Sequence, residues 1–445
     1  MIEGLPIGAA YALVAVGYSM VYGILKLINF AHSEIFMLGA FFTWSFLTPA
    51  VNYDPATHVQ TLAAAQFWST ALYLAAIGYV VAYRLLPRRL GAARFAAALP
   101  ALAAGGGLGC WLSYVHVPFL LALALSMTAI GLLGIAIDTI AYKALRNARR
   151  LNLLITAIGM SIFLVNATQI TFGEQSKSYA NDPVTGADLL PGFMEVQTRI
   201  TDPAERQSLI ARGALKAERR RDFFTGAWEE KPVPPQPRIS NEMKNAMSWT
   251  EALRVTHEFR LWGDNYFTPR DMALILAALV CLGLLRFVVM NTRLGMMMRA
   301  CSTDLEAARL MGINVEMVIA ATFFLGSAMA GLAGGLFSLP PQNLYPTMGF
   351  EMGIIAFSAA VMGGIGNLPG AALGGLILGV ADNFIKGCAE NFRQWLTHAA
   401  PHLSAGWVNA FDLSKWSLAF AFLVLIVTVL VRPQGLMNVK TGDRS

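Results

Sequence analysis

Eleven apolar runs of 16 to 24 residues recur along this 445-residue chain, and they constrain its fold more than any other feature. They are Leu5–Leu25, Phe30–Leu47, Phe67–Tyr83, Phe95–Tyr114, Phe119–Tyr142 and Leu153–Phe172, then Met272–Met290, Met317–Leu339, Phe350–Gly366, Gly370–Ile385 and Trp416–Val431. Such lengths match the hydrocarbon thickness of a bilayer, roughly 30 Å or about 20 helical residues. No water is present at that depth to satisfy backbone groups, so each run must close its own hydrogen bonds as a helix. The expected fold is therefore all-α, a polytopic transmembrane helix bundle of about 10–11 membrane segments. Phe350–Gly366 is short and ends in Gly363-Gly364-Ile365-Gly366, which leaves both a span and a re-entrant segment open.

Charge distribution orients the bundle. Only 13% of residues are charged, and the basic ones gather in short loops. Arg84, Arg88 and Arg89 lie in one; Lys143, Arg146, Arg149 and Arg150 lie in another with no acid among them. Placing the Arg84–Arg94, Lys143–Arg150 and Asn291–Glu316 loops on the cytoplasmic side requires an even number of runs between them, and two fall in each gap. The N-terminus then lies outside and the C-terminus inside. Met1-Ile2-Glu3-Gly4 has neither a basic region nor a cleavage site, so the first run reads as a retained helix. The four cysteines, Cys110, Cys281, Cys301 and Cys388, are scattered and share no metal-ligand spacing. No basic patch interleaved with aromatics suggests nucleic acid.

The stretch from Gly173 to Arg270 differs from the rest. It is polar and nearly charge-balanced, and it contains the stiff run Pro232-Val233-Pro234-Pro235-Gln236-Pro237. Leu209–Arg221 has helical spacing, and Ser248-Trp249-Thr250-Glu251 reads as a capping box. The chain thus divides into an N-terminal transmembrane bundle over 1–172, a soluble extracytoplasmic insertion over 173–270, and a C-terminal bundle over 271–445.

Between Met290 and Met317 lies the stretch with the clearest functional pattern. Glu306-Ala307-Ala308 followed after three residues by Gly312 describes a short helix of good helix formers closed by a glycine. The apolar run behind it re-enters the bilayer. A rigid helix in that position gives a soluble partner a handle on the membrane helices, although an ordinary interhelical loop would have the same spacing.

The pattern resembles the EAA loop of ABC-importer permeases. Other motifs fall in matching order along the chain: Gly4-Leu5, Gly8, Tyr11-Ala12-Leu13, Gly17-Tyr18, Tyr22-Gly23 and Asn29-Phe30-Ala31-His32 near the start, then Ala157-Ile158-Gly159-Met160-Ser161-Ile162-Phe163. Val361-Met362-Gly363-Gly364-Ile365-Gly366-Asn367-Leu368-Pro369-Gly370 and Arg432-Pro433-Gln434-Gly435 complete the set. Together they resemble branched-chain amino acid permeases of the LivH type. The resemblance implies an inner-membrane subunit paired with a second, LivM-like permease, two cytoplasmic ABC ATPases and an extracytoplasmic substrate-binding protein. It implies coupling to the ATPase through Glu306, Ala307, Ala308 and Gly312. It also implies a translocation or gating role for Asn29, His32 and Glu34 and for Gly363, Gly364 and Gly366. The chain itself needs no cofactor; ATP is used by the partner ATPase.

Three features depart from the family pattern. Ser33 stands where the family usually has glycine. Phe67–Tyr114 looks like an added helix pair, and residues 173–270 replace a shorter external loop. Both additions are expected at the periphery or outside, away from the coupling loop.

Blander readings compete at several positions. His32 and Glu34 could be solvated interfacial groups at a cytoplasmic turn, and Asp138, Glu351 and Asp382 likewise sit near run ends. Gly326, Ala330, Gly331, Gly334 and Gly335 could pack helices or line a path. An enzyme is poorly supported. His398 and His402 have a helical metal spacing, but Pro401 interrupts it, and Ser327 has no histidine partner in a later apolar run. The Gly-Lys-Ser/Thr ending of a phosphate-binding loop is missing, so the chain is expected not to be the ATPase. A urea or short-amide importer of the same architecture, and an ATPase-independent channel or secondary transporter, remain rival functions.

Overall fold

The computed structural model describes residues 4–26, 29–47, 51–54, 59–62, 64–86, 93–114, 119–146, 148–177, 217–221, 228–232, 259–262, 265–267, 269–338, 343–399, 417–432 and 434–437. The chain divides into two units, Met1–Pro183 with Ala273–Ser445, and Val184–Met272.

The first unit is a helix bundle. Its N-terminal helices are α1 (Gly4–Leu25), α2 (His32–Leu47), α3 (Ala64–Leu85), α4 (Ala93–Tyr114), α5 (Phe119–Ile137) and α6 (Arg150–Phe172). After α7 (Pro269–Asn291) come two short helices, α8 (Arg293–Thr303) and α9 (Leu305–Leu310). The bundle then continues through α10 (Val315–Phe337), α11 (Met348–Gly363), α12 (Leu368–Ala399) and α13 (Ser417–Val431). By length and composition α1, α4, α5, α6, α7, α10 and α12 are able to cross a membrane. Helix α11 has 16 residues, about 24 Å at 1.5 Å per residue. That is short of a bilayer's hydrocarbon core. A two-stranded hairpin, β1 (Val51–Asp54) with β2 (Val59–Leu62), separates α2 from α3.

Helix α10 lies at the centre, packed on α1, α2 and α5. Its small residues permit this. Gly326 meets Gly17 of α1, Gly331 meets Gly39 of α2 and Ile130 of α5, and Gly334 meets Phe36 and Ala40 of α2. The glycine stripe is thus a packing surface, and Ser327, Ala328, Ala330 and Ala333 are buried within it. Helix α12 packs on α1 in the same way: a Cβ at Gly379 would overlap the Gly8 backbone, and one at Gly375 would overlap Ala12. Helices α3 and α4 form a closely packed pair through Gly78, Gly105 and Gly109.

In the second unit, β3 (Ala217–Arg221) pairs antiparallel with β4 (Trp228–Pro232). A further hairpin joins β5 (Phe259–Trp262) to β6 (Asn265–Phe267). The helical reading of Leu209–Arg221 is therefore wrong over Ala217–Arg221. The register sets Glu218 opposite Lys231, Arg219 opposite Glu230 and Arg220 opposite Glu229. Opposite charges facing one another favour a ladder over the intrinsic helix preference of these residue types. Residues 209–216, the capping box at Ser248–Glu251, and residues 233–237 of the proline-rich run lie outside the described residues.

The α1–α12 contact yields a test. Gly379→Ala is expected to lower stability by roughly 1–3 kcal/mol, because neither backbone is able to move aside cheaply. Gly387→Ala, on the same helix but with open space at its Cβ position, is expected to raise stability by roughly 0.5–1 kcal/mol through alanine's better helix propensity. Thermal unfolding midpoints of the two variants in one detergent would compare them.

Candidate functional site

The segment after α7 builds its short helices from their caps. Thr292 caps α8, accepting from the Gly295 amide at 3.1 Å. Asp304 Oδ1 accepts from the amides of Glu306 at 2.8 Å and Ala307 at 3.1 Å, opening α9. Glu306 then sits in the first turn, where the helix dipole favours a negative charge. At the other end Gly312 takes a φ of +81°. The Ile313 amide donates to Ala308 O at 3.1 Å and the Gly312 amide to Arg309 O at 3.0 Å, the pair of bonds that closes a helix on a left-handed residue. Asn314 caps α10 immediately, accepting from the Met317 amide at 3.2 Å.

The two alanines of this helix have different surroundings. Ala307 is exposed, whereas Ala308 is 4% exposed and packs inward. Glu306, Ala307 and Arg309 share the exposed surface with Leu310 and Met311, which are 89% and 83% exposed. Sequence spacing alone gave no sign of this apolar exposure at the helix tip.

Asn29, His32 and Glu34 come together at the start of α2. The reading of His32 and Glu34 as solvated interfacial groups is corrected: Asn29 is 1% exposed, and His32 and Glu34 are fully enclosed. Asn29 Oδ1 accepts from the Ala31 amide and from the Tyr142 hydroxyl, so one side chain both starts α2 and ties it to the end of α5. The His32 ring packs edge-on against Tyr18, with centroids 4.8 Å apart. A Cβ at Gly17 would overlap its Nε2. Gly17 also faces Gly326, about halfway along α10, so His32 lies near the middle of the bundle rather than at its edge. Glu34 Oε1 accepts from Ser161 of α6 at 3.0 Å and lies 3.3 Å from Ser33 Oγ. Its Oε2 faces Gly349 of α11, and among the described residues it has no hydrogen-bond donor.

The glycines Gly363, Gly364 and Gly366 are elsewhere. Gly349 lies fourteen residues before Gly363, roughly 21 Å along α11 at 1.5 Å per residue. Gly364 and Gly366 have φ of +107° and +90° and make the turn from α11 into α12. The C-terminal motif docks there. Leu436 N donates to Met362 O at 2.8 Å, Met437 N to Gly363 O at 3.2 Å, and Asn367 Nδ2 to Met437 O at 3.0 Å. A cavity of about 100 Å³ lies where this turn, at Gly366 and Leu368, meets Ser19 and Gly23 of α1, Arg299 of α8 and Thr322 of α10.

A second polar cluster lies at the first turn of α10. Helix α5 widens into a π-helical turn, Asp138–Tyr142, and then a 3₁₀ turn, Lys143–Leu145. Asp138 is fully enclosed there, so the reading of it as a solvated interfacial acid is also corrected. Its two oxygens pair with Arg84 of α3 at 2.8 Å and with Arg146. Arg146 pairs in addition with Glu316 at 2.7 Å, and Lys143 with Glu316 at 3.1 Å. Arg84 Nη2 donates to the Glu316 carbonyl at 3.0 Å. The three basic loops thus meet at one end of the bundle, as the charge pattern required. Asp382 is likewise buried and paired, with Lys386 at 2.7 Å and the Tyr11 hydroxyl at 3.3 Å. Glu351 alone of the three acids is exposed, and it accepts from Tyr345 at 2.8 Å. His398 is the penultimate residue of α12, and His402 lies outside the described residues.

Comparison with known proteins agrees with this architecture. Residues 1–429 match the family described as branched-chain amino acid transport system / permease component. The chain is 30% identical to the high-affinity branched-chain amino acid transport system permease protein BraD of Pseudomonas aeruginosa, over 98% of this chain and 94% of that protein. It is 28% identical to the corresponding permease protein LivH of Escherichia coli (strain K12), over the same shares of the two chains. A xylose transport system permease protein, XylH of Escherichia coli (strain K12), is 30% identical over 34% of this chain and 40% of its own. No solved structure matches. The chain, a multi-pass helical membrane protein, belongs to the family of branched-chain amino acid transport permeases.

Proposed function

We propose that the chain is a permease subunit of an ABC importer that carries branched-chain or other small amino acids across the inner membrane. In this reading it pairs with a second permease subunit. Two cytoplasmic ABC ATPases drive it, and an extracytoplasmic binding protein loads it. ATP is bound and hydrolysed on the ATPase subunits, and this chain supplies helices and no covalent chemistry.

The observation that carries the proposal is the join between α9 and α10. An exposed, doubly capped helix is connected by four residues, Met311-Gly312-Ile313-Asn314, to the most central helix of the bundle. Closure of the ATPases pushes on Glu306, Ala307 and the exposed Leu310–Met311 tip. The Gly312 cap keeps the short link from folding up under load, and Asn314 passes the displacement into α10. Because α10 touches α1, α2 and α5 through small residues, a tilt of α10 moves the helices around His32 and Glu34.

Uptake of labelled leucine, with labelled urea in parallel, tests the substrate class in cells carrying or lacking the gene. Loss of leucine uptake alone supports the proposal; a defect in urea uptake alone would transfer the same architecture to another substrate. Glu306→Lys is expected to insert and assemble normally yet lose most leucine uptake, since it reverses the charge presented at the helix start. Normal uptake by that variant would refute the coupling assignment. Gly312→Ala meets no steric obstacle, so its cost is confined to the left-handed backbone, about 1–2 kcal/mol. It is expected to accelerate hydrogen exchange at the Gly312 and Ile313 amides while the exchange of α10 stays unchanged.

A further inference from the structure

Helices α3 and α4 are the pair that family resemblance reads as a peripheral addition, yet α3 ends on the coupling machinery. Arg84, in the last turn of α3, is 12% exposed in its side chain and places its guanidinium between two elements. Nη1 donates to Asp138 Oδ2 at 2.8 Å and to Thr139 Oγ1 at 2.7 Å, both at the widened end of α5. Nη2 donates to the main-chain carbonyl of Glu316, in the first turn of α10 and four residues beyond Gly312. Arg146 duplicates the bridge with its own two arms, one on Asp138 and one on Glu316.

We infer that Arg84 is a positioning residue for energy coupling. With Asp138, Arg146 and Glu316 it forms a rigid strut that makes the coupling-helix end of α10 move as one body with the ends of α3 and α5. The geometry favours a strut over a breakable latch. Asp138 is fully enclosed and holds two guanidinium groups at once, so either one is anchored by the other's hold on the same carboxylate, and loss of both would leave a charge buried without a partner. Arg84 also grips a backbone carbonyl, so its hold on α10 does not depend on a side-chain rotamer. A planar fork with several fixed donors suits this double attachment, whereas a lysine has a single nitrogen to place. The inference rests on the proposed function, in which α9 is the ATPase contact.

The complete transporter, reconstituted in proteoliposomes with its ATPases and loaded binding protein, allows uptake and ATP hydrolysis to be measured together. Arg84→Gln is expected to lower leucine transported per ATP hydrolysed by roughly fivefold or more, within the range by which residues between coupled sites modulate coupling. Arg84→Lys is expected to recover part of that ratio. An unchanged ratio in Arg84→Gln would overturn the strut. If Arg84→Gln fails to assemble, spin labels on a background lacking Cys110, Cys281, Cys301 and Cys388 give an independent reading. Labels at Leu85→Cys and Met317→Cys, both exposed positions, are expected to keep one separation with and without ATP. Separation of the two on ATP binding would overturn it. Uncoupling by Glu306→Lys with a normal ratio in Arg84→Gln would reject the strut alone, whereas normal uptake by Glu306→Lys would reject the coupling role of α9.

Discussion

Helix α10 is approached at backbone distance by three neighbours, and the remaining structure depends on that approach. Gly326, Gly331 and Gly334 face Gly17, Gly39 and the Phe36–Ala40 turn, so main chain lies against main chain with no side chain between. In a bilayer the lipid tails are as apolar as any side chain, and helices gain little by exchanging one for the other. Dispersion contacts over closely fitted small residues then become the main attraction. The same helix is joined, through the four-residue link Met311–Asn314, to the capped helix α9. Tight packing at the centre and an exposed short helix at the end are thus separated by a single left-handed turn at Gly312.

Two of the buried polar clusters among the described residues lie at different depths and are satisfied differently. At the end of the bundle Asp138 and Glu316 are neutralised by Arg84, Arg146 and Lys143, and the charges hold three chain segments together. Near the middle no cation accompanies Glu34 among the described contacts. Two serines lie near one oxygen, and the other faces a glycine. Burying such a group is costly, and a protein that only needed to pack helices would place an apolar residue there. The Ser33 hydroxyl lies beside this carboxylate. Gly353 leaves the space for it, since a Cβ there would overlap Ser33.

Much of the bundle was legible because its causes are local. Run lengths located most helices to within a few residues: Phe95–Tyr114 became Ala93–Tyr114, and Leu153–Phe172 became Arg150–Phe172; α12 is the exception, running past the expected Ile385 to Ala399. Gly312 was readable as a helix end because only its own φ matters there. The glycines Gly363, Gly364 and Gly366 were recognisable as a motif, but not as the seat of the C-terminal Gly435–Met437 segment. That pairing depends on backbone bonds between residues about seventy positions apart. The strand at Ala217–Arg221 was misread because its residues form helices as readily, and only a partner strand decides between the two.

By itself, the sequence determined that the chain is a bundle of membrane helices, which ends share a side, and where the short capped helix before α10 begins and stops. Each follows from a property of contiguous residues: apolar length, basic loops, and capping chemistry. Only the tertiary structure decided what the isolated polar residues do. Whether Glu34 or Asp138 is solvated, paired or enclosed depends on which helices converge on it, and those lie up to about three hundred positions away. The same holds for Arg84, an ordinary basic loop residue in the sequence. In the fold it joins α3 to the widened end of α5 and to the first turn of α10.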